Sequence, residues 1–273
     1  MRKFILLIQF SFALLSVQAA IVDTVWIESK AMKKSFRCVV IQPSQSTSQK
    51  GPYPVTYLLH GYGGWYANWI IRVPALKEYA DQYQMMLVCP EGNNDWYLNS
   101  PEIDSLQWET YIAAEIPAYI DSHYPTKADR TGRAITGLSM GGHGGLYLGL
   151  KHSNTFGACG SMSGGVDLRF RKSSWSLLRL LGDTIKHAQR WIDYSVTGLV
   201  EKINPAISSI IIDCGTEDFF FGINEKLHQQ LANRGIPHEY ITRPGKHDWN
   251  YWTNAVAFQL LFFDWYFTKP ATP

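Results

Sequence analysis

The chain has 273 residues, 46% of them hydrophobic and 18% charged, with 25 Lys and Arg against 23 Asp and Glu. This composition excludes disordered, collagen-like and highly charged classes, and the length suffices to bury a large core with a shaped cleft.

At the start of the chain, Arg2 and Lys3 precede an apolar run from Phe4 to Leu15, followed by small residues up to Ala20. This is the pattern of a secretory signal peptide over residues 1–19, with Val17 and Ala19 suiting the two recognition positions of a cut after Ala19. The apolar run is too short to span a bilayer. The expectation is an exported protein, periplasmic or extracellular, with no membrane contact after signal removal. Removal takes two basic residues and no acidic one, leaving 23 of each sign. A formally neutral chain argues against nucleic-acid or anionic-lipid partners, which draw on clustered Lys and Arg. Aromatic residues at 14% suit sugar or aryl ligands, although core packing accounts for most such side chains.

Next, Thr24 to Ser29 and Phe36 to Ile41 read as an antiparallel entry hairpin. Beyond it, strand-length apolar runs at Val55–Leu59, Met85–Cys89, Arg133–Thr136 and Ile207–Asp213 alternate with segments of helical period. Those segments are Pro74–Gln82, Trp108–His123, Gly142–His152, Asn224–Arg234 and Asn254–Phe267. The alternation predicts an α/β fold: a mostly parallel sheet covered by helices on both faces, with an N-terminal antiparallel hairpin. In the segment Trp108–His123, Ile112, Ile116, Tyr119 and Ile120 share one face, Ser105 or Asp104 offers an N-cap, and Pro117 predicts a kink. Glu109 is placed in its first turn, where a negative charge is favourable. Residues 166–200 carry no strand signal and read as a helical insertion. No repeat or linker marks a second unit, so a single domain over residues 20–273 is expected. Cys38, Cys89, Cys159 and Cys214 each lie in or beside a strand-like stretch, which predicts buried free thiols. No C-x-x-C or H-E-x-x-H spacing occurs, and no metal or organic cofactor is called for.

The chemistry centres on Gly137-Leu138-Ser139-Met140-Gly141, which follows a strand run and opens a helix of small residues. That is the context of a nucleophile elbow, where side chains at the two glycines would meet the neighbouring strand and helix. A serine hydroxyl needs a base, and the base needs a carboxylate to fix its tautomer. Of eight histidines, His247 lies in a Gly-containing loop directly before the last helix, while His123, His152 and His228 sit on helical stretches and read as solvated. Asp218, in the turn beyond the strand run ending at Asp213, is the chosen acid, with Asp213 and Glu217 as local rivals. The N–H of Met140 offers one oxyanion donor, and the glycine-rich Leu58-Leu-His-Gly-Tyr-Gly-Gly64 offers a second at Tyr62. A phosphate-binding loop is excluded there because Tyr66 replaces the third glycine and no G-K-[ST] follows.

With these motifs, together with Trp-Tyr-Leu-Asn-Ser-Pro at 96–101, Trp-Glu-Thr-Tyr-Ile at 108–112 and Gly-Lys-His-Asp-Trp at 245–249, the chain resembles an esterase family of alpha/beta hydrolases. That family includes feruloyl and acetylxylan esterases, S-formylglutathione hydrolases and mycolyltransferases of the antigen 85 group. The resemblance runs from about Lys34 to Phe267. It implies the alpha/beta hydrolase fold, a triad of Ser139, Asp218 and His247, and oxyanion donors at Tyr62 and Met140. It also implies an ester substrate, here expected to be an acetylated or feruloylated saccharide. Trp96, Tyr97, Asn99 and Trp249 are the candidate substrate contacts, because their loops flank the nucleophile. Two rival readings remain: an acyltransferase of the mycolyltransferase type, separated by product analysis with a sugar acceptor, and an inactive carbohydrate-binding relative, separated by a fluorophosphonate probe.

Overall fold

The computed structural model describes residues 19–44, 51–171, 174–203 and 208–269. The expected signal peptide lies outside the described residues except for Ala19. The first two strands, β1 (Ile21–Ser29) and β2 (Lys34–Gln42), form the antiparallel hairpin that the sequence predicts. Six more follow: β3 (Val55–Leu59), β4 (Met86–Pro90), β5 (Arg133–Gly137), β6 (Ala158–Met162), β7 (Ser209–Gly215) and β8 (Glu239–Arg243). They form one sheet in the order β1-β2-β4-β3-β5-β6-β7-β8. β2 joins β4 antiparallel, and every pairing from β4 to β8 is parallel.

The inner strands are buried along their whole length because both faces of the sheet are covered. Alternate residues therefore feed two separate cores. Cys38, Val40, Tyr57 and Leu59 pack on one side with Trp108, Ile112, Ile116, Ile120 and the helix Met140–Lys151. Val39, Ile41, Leu58 and Leu87 pack on the other with Trp69, Leu76, Tyr251, Val256 and Leu260. All four cysteines are buried free thiols. Between β6 and β7 the described residues form four short helical pieces, Leu168–Arg171, Leu177–Leu181, Ala188–Asp193 and Val196–Val200.

Several local readings are corrected. The segment Trp108–His123 is not one α-helix: a π-helical turn at Tyr111–Glu115 separates Trp108–Thr110 from Ile116–His123. Pro117 has no N–H to give to the preceding turn, so the irregularity falls just ahead of it. Its N-cap is Gln107 with no side-chain cap, not Ser105 or Asp104. Glu109 does lie in the first turn, but its carboxylate is buried and accepts from Lys151 Nζ at 3.0 Å and His152 Nε2 at 2.8 Å, tying two helices together. Burial alone would push this carboxyl up, yet the two basic partners outweigh it and hold it below the usual range. Strand β8 and the helix Asn68–Arg72 had no sequence reading. β8 is a half-exposed edge, so its residues Glu-Tyr-Ile-Thr-Arg form no apolar run.

The last helix, Trp249–Thr268, begins five residues earlier than its apolar period suggests, because the Asp248 side chain caps it by accepting the N–H of Tyr251 at 3.1 Å. Within that helix Gln259 is fully buried. Its Oε1 accepts from the Thr136 hydroxyl at 2.7 Å, pinning the helix to β5. Gln259→Ala removes that acceptor and leaves a cavity, so unfolding in urea should show a loss of about 2–3 kcal/mol. A loss below about 1 kcal/mol would mean that the bond does not anchor the helix.

Candidate active site

Ser139 sits between β5 and the helix Met140–Lys151 with φ 56° and ψ −114°, a left-handed conformation that costs a non-glycine residue roughly 1–3 kcal/mol. The turn is tight because backbones meet at its two glycines. A Cβ on Gly137 would lie 2.5 Å from the Leu59 carbonyl oxygen, and one on Gly141 would lie 2.7 Å from that of His60. The strained turn projects the Ser139 hydroxyl at the N-terminus of a twelve-residue helix, where the backbone dipole favours negative charge.

The loops at the carboxyl ends of β7 and β8 deliver the partners. His247 Nε2 lies 2.9 Å from Ser139 Oγ, placed to accept its proton, and Nδ1–H donates to Asp218 Oδ2 at 2.8 Å. The carboxylate of Asp218 is shielded from solvent, and its Oδ1 accepts the Phe220 N–H at 2.8 Å. The rival acids lie elsewhere. Asp213 is committed to the Tyr251 hydroxyl and to Arg243 at 2.5 Å, while the exposed Glu217 faces Lys246 at 3.9 Å. The remaining histidines are also engaged elsewhere: His123 stacks on Tyr119, His152 binds Glu109, and His228 Nδ1 meets His238 Nε2 at 2.8 Å. Solvation alone therefore does not describe them.

Ser139 and His247 open into a cavity of about 520 Å³ whose walls are largely aromatic. Of the four expected substrate contacts, Trp96 and Trp249 line it, and Tyr62 of the glycine loop does too. Tyr97 and Asn99 do not. Tyr97 is fully buried beneath the site and donates its hydroxyl to the His60 carbonyl at 2.9 Å. Asn99 is turned toward the helix start, bonding Thr110 through Nδ2 at 2.8 Å. Reading the 96–99 loop as one surface missed its two consecutive left-handed residues, Trp96 and Tyr97, which send neighbouring side chains in different directions. The sequence reading also missed Trp65, Trp175, Phe219 and Phe220. Phe219 and Phe220 crowd the His247 ring, with centroids at 4.2 and 5.3 Å, and Trp252 meets it edge-on at 4.9 Å. Adjacency to Asp218 and to the glycine loop was the available signal for all but Trp175, which comes from the 166–200 segment. Among the described residues no cluster of three His, Cys, Asp or Glu side chains could hold a metal.

The family model described as "Putative esterase" matches residues 29–263. The chain belongs to this esterase family. An acetyl esterase of Caldicellulosiruptor saccharolyticus is 30% identical over 84% of this chain and 92% of its own length. A solved ferulic acid esterase superposes with a TM-score of 0.77 at 28% identity, covering 90% of this chain and 99% of that one. Mycolyltransferase Ag85B of Mycobacterium avium is 32% identical over a shorter stretch, 42% of this chain and 37% of that protein. The fold is that of the alpha/beta hydrolase esterases, and the esterase is a carboxylic ester hydrolase.

One wall of the esterase cavity rests on a buried histidine. His143 packs edge-on against Trp96 at 5.5 Å and donates Nε2–H to the Tyr194 carbonyl at 2.8 Å. Burial outweighs that bond and pushes its imidazole down to about 4 from an ordinary 6.5. The folded state therefore refuses a proton that the unfolded chain accepts below 6.5. The neutral ring's contribution is complete above that pH and is lost as the pH falls toward 4, amounting to about 3 kcal/mol. Unfolding midpoints between pH 7 and 4 should fall steeply in the wild type and less in His143→Gln; parallel slopes would remove His143 as the source.

Proposed function

We propose that the esterase is exported and removes acetyl or feruloyl groups from a polysaccharide or oligosaccharide through an acyl-serine intermediate. The observation that carries the proposal is the hydrogen-bonded series Asp218–His247–Ser139 opening into an aromatic cavity. Ser139 Oγ attacks the ester carbonyl while His247 Nε2 takes its proton. The imidazolium, held in register by Asp218, then returns that proton to the leaving sugar oxygen. The N–H groups of Met140 and Tyr62 receive the oxyanion; among the described residues neither takes part in the backbone hydrogen bonds of the turns and loops here. Water, activated by the same histidine, releases the acid. Trp96 and Trp249 are the proposed contacts for an aryl acyl group or a sugar ring, since flat apolar rings bury well against either. The names of the acetyl esterase and ferulic acid esterase relatives support the two acyl groups considered.

The test is mass spectrometry of an acetylated and feruloylated arabinoxylan oligosaccharide after incubation with the protein. Loss of either acyl mass is expected, and the Ser139→Ala variant should leave both in place. Asp218→Asn should lower kcat by about 10⁴-fold through loss of the correct tautomer, while Glu217→Gln should keep it within about threefold. Cleavage of a simple aryl acetate with the oligosaccharide untouched would discard the saccharide and keep the mechanism. The Ag85B match favours a second reading, acyl transfer to a sugar hydroxyl. An acylated acceptor in the same spectra, formed when free trehalose or glucose is added, would establish it.

A further inference from the structure

Arg72, the last residue of the helix Asn68–Arg72, lines the cavity that holds Ser139 and His247. No other Lys or Arg, and no Asp or Glu, belongs to that lining. Among the described residues no carboxylate comes within 4.0 Å of its guanidinium, whereas Arg133, Arg169, Arg179, Arg190 and Arg243 each have one. A basic residue in the last turn is favourable to a helix in itself. That explains a cation at position 72, but not a cation set in the wall of an acid-free cavity.

Aromatic packing sets the place of this charge. The guanidinium carbon lies 5.9 Å from the ring centre of Trp249, within range of cation–π attraction. Trp249 is in turn packed edge-on against Trp69 at 5.3 Å and Trp252 at 5.5 Å. Trp69 is buried and donates Nε1–H to the Leu59 carbonyl at 3.1 Å, which fastens the platform to the end of β3. Asn68 stands one turn before Arg72 on the same helix face and also lines the cavity. Its Oδ1 accepts the Trp65 N–H at 2.8 Å, so Nδ2 remains to donate. This wall therefore offers a cation and a second donor, the requirements of an acceptor that bears negative charge.

We propose that Arg72, with Asn68 beside it, makes the esterase selective for substrates that carry a carboxylate near the ester: a saccharide with a uronate residue, or an acyl chain that ends in a carboxylate. Both sources present the same pair of oxygens to the fork of N–H donors on a guanidinium. The guanidinium lies at the ring of Trp249, the proposed contact for the sugar or aryl group, so a charge on that group reaches it. Arg72 is exposed and hydrated in the free protein, which keeps the gain modest. The gain is the same before and during bond-breaking, so it appears in KM. The inference rests on the proposed function, since it matters only where this cavity holds the ester that Ser139 attacks.

Kinetics on two matched pairs of esters test it. One pair is an acetylated xylo-oligosaccharide with a glucuronate branch and the same compound with that carboxyl reduced to the alcohol. The other is the mono-nitrophenyl ester of adipic acid, ionised at its free end, and the methyl ester of that compound. In the wild type the acidic member of one pair should have a kcat/KM about tenfold higher, mainly through KM, and the pair that shows it identifies where the carboxylate sits. Arg72→Gln should reduce that ratio to within about twofold, and Arg72→Lys should keep part of it. Salt at about 0.5 M should shrink the ratio in the wild type, because an exposed pair is screened. Labelling of Ser139 by a fluorophosphonate reports whether each variant is folded with a competent nucleophile. Wild-type values within about twofold for both pairs, or a preference that survives in labelled Arg72→Gln, would overturn the inference. If Ser139→Ala abolishes turnover of these esters, such a result sinks this inference alone; if Ser139→Ala stays active, the mechanism beneath it falls first.

Discussion

At the candidate site the end of β3 and the start of the helix Met140–Lys151 meet backbone against backbone. The Leu59 and His60 carbonyls press against Gly141, and the Leu59 carbonyl also presses against Gly137. This contact fixes the distance between the Ser139 turn and the glycine loop from Gly61 to Gly64, the two parts that the proposed mechanism joins. It also explains why Ser139 keeps a strained backbone: β5 is held by β3 on one side and β6 on the other, and the Ser139 N–H is spent on the Met162 carbonyl at 2.9 Å. Relaxing the turn would break bonds in the most buried part of the sheet.

The remaining parts hang from the neighbouring strand ends. β7 carries Asp213 at its fully buried end, where Arg243 of β8 and Tyr251 of the last helix both bind it. Burial pushes that carboxyl up against the pull of its partners, so it is an expensive group kept for structure. It ties together the roots of the two loops that carry Asp218 and His247. The division of labour between the carboxylates is thus spatial: Asp213 fastens the scaffold from within the sheet, and Asp218, five residues on, reaches the imidazole from the loop above.

Period and turn chemistry made the α/β architecture legible, because strands such as β3 and β4 are continuous apolar runs and cannot be mistaken for solvent-facing elements. Ser139 and Asp218 were legible for the same reason, each following a recognisable strand run, and His247 was legible from its Gly-containing loop directly before the last helix. What escaped was set by three-dimensional context. Strand β8 is an edge and carries no apolar run. Glu109 looked like a helix-start charge, and nothing local reveals that Lys151 and His152 come round to meet it. Tyr97 and Asn99 lie beside Trp96 in sequence, but alternation of side-chain direction fails where two successive residues take left-handed backbone conformations.

The same left-handed device appears twice across the mouth of the cavity, at Trp96–Tyr97 and at Trp175–Ser176. The two corners are joined to each other and to the glycine loop. Trp96 Nε1–H donates to the Trp175 carbonyl at 3.0 Å, and the Ser176 and Tyr62 hydroxyls meet at 2.9 Å. The 166–200 segment is therefore bonded to the loop that carries one proposed oxyanion donor. It also contributes Trp175, stacked on Phe219 at 6.1 Å, to the wall beside His247. The segment's contacts reach side chains of the loop, while the loop backbone is held by His60 at Gly61 and by Glu91 at Tyr66. On the proposed mechanism, a change in that segment would therefore reshape the cavity wall at Trp175 while the backbone that carries the proposed donor stays held.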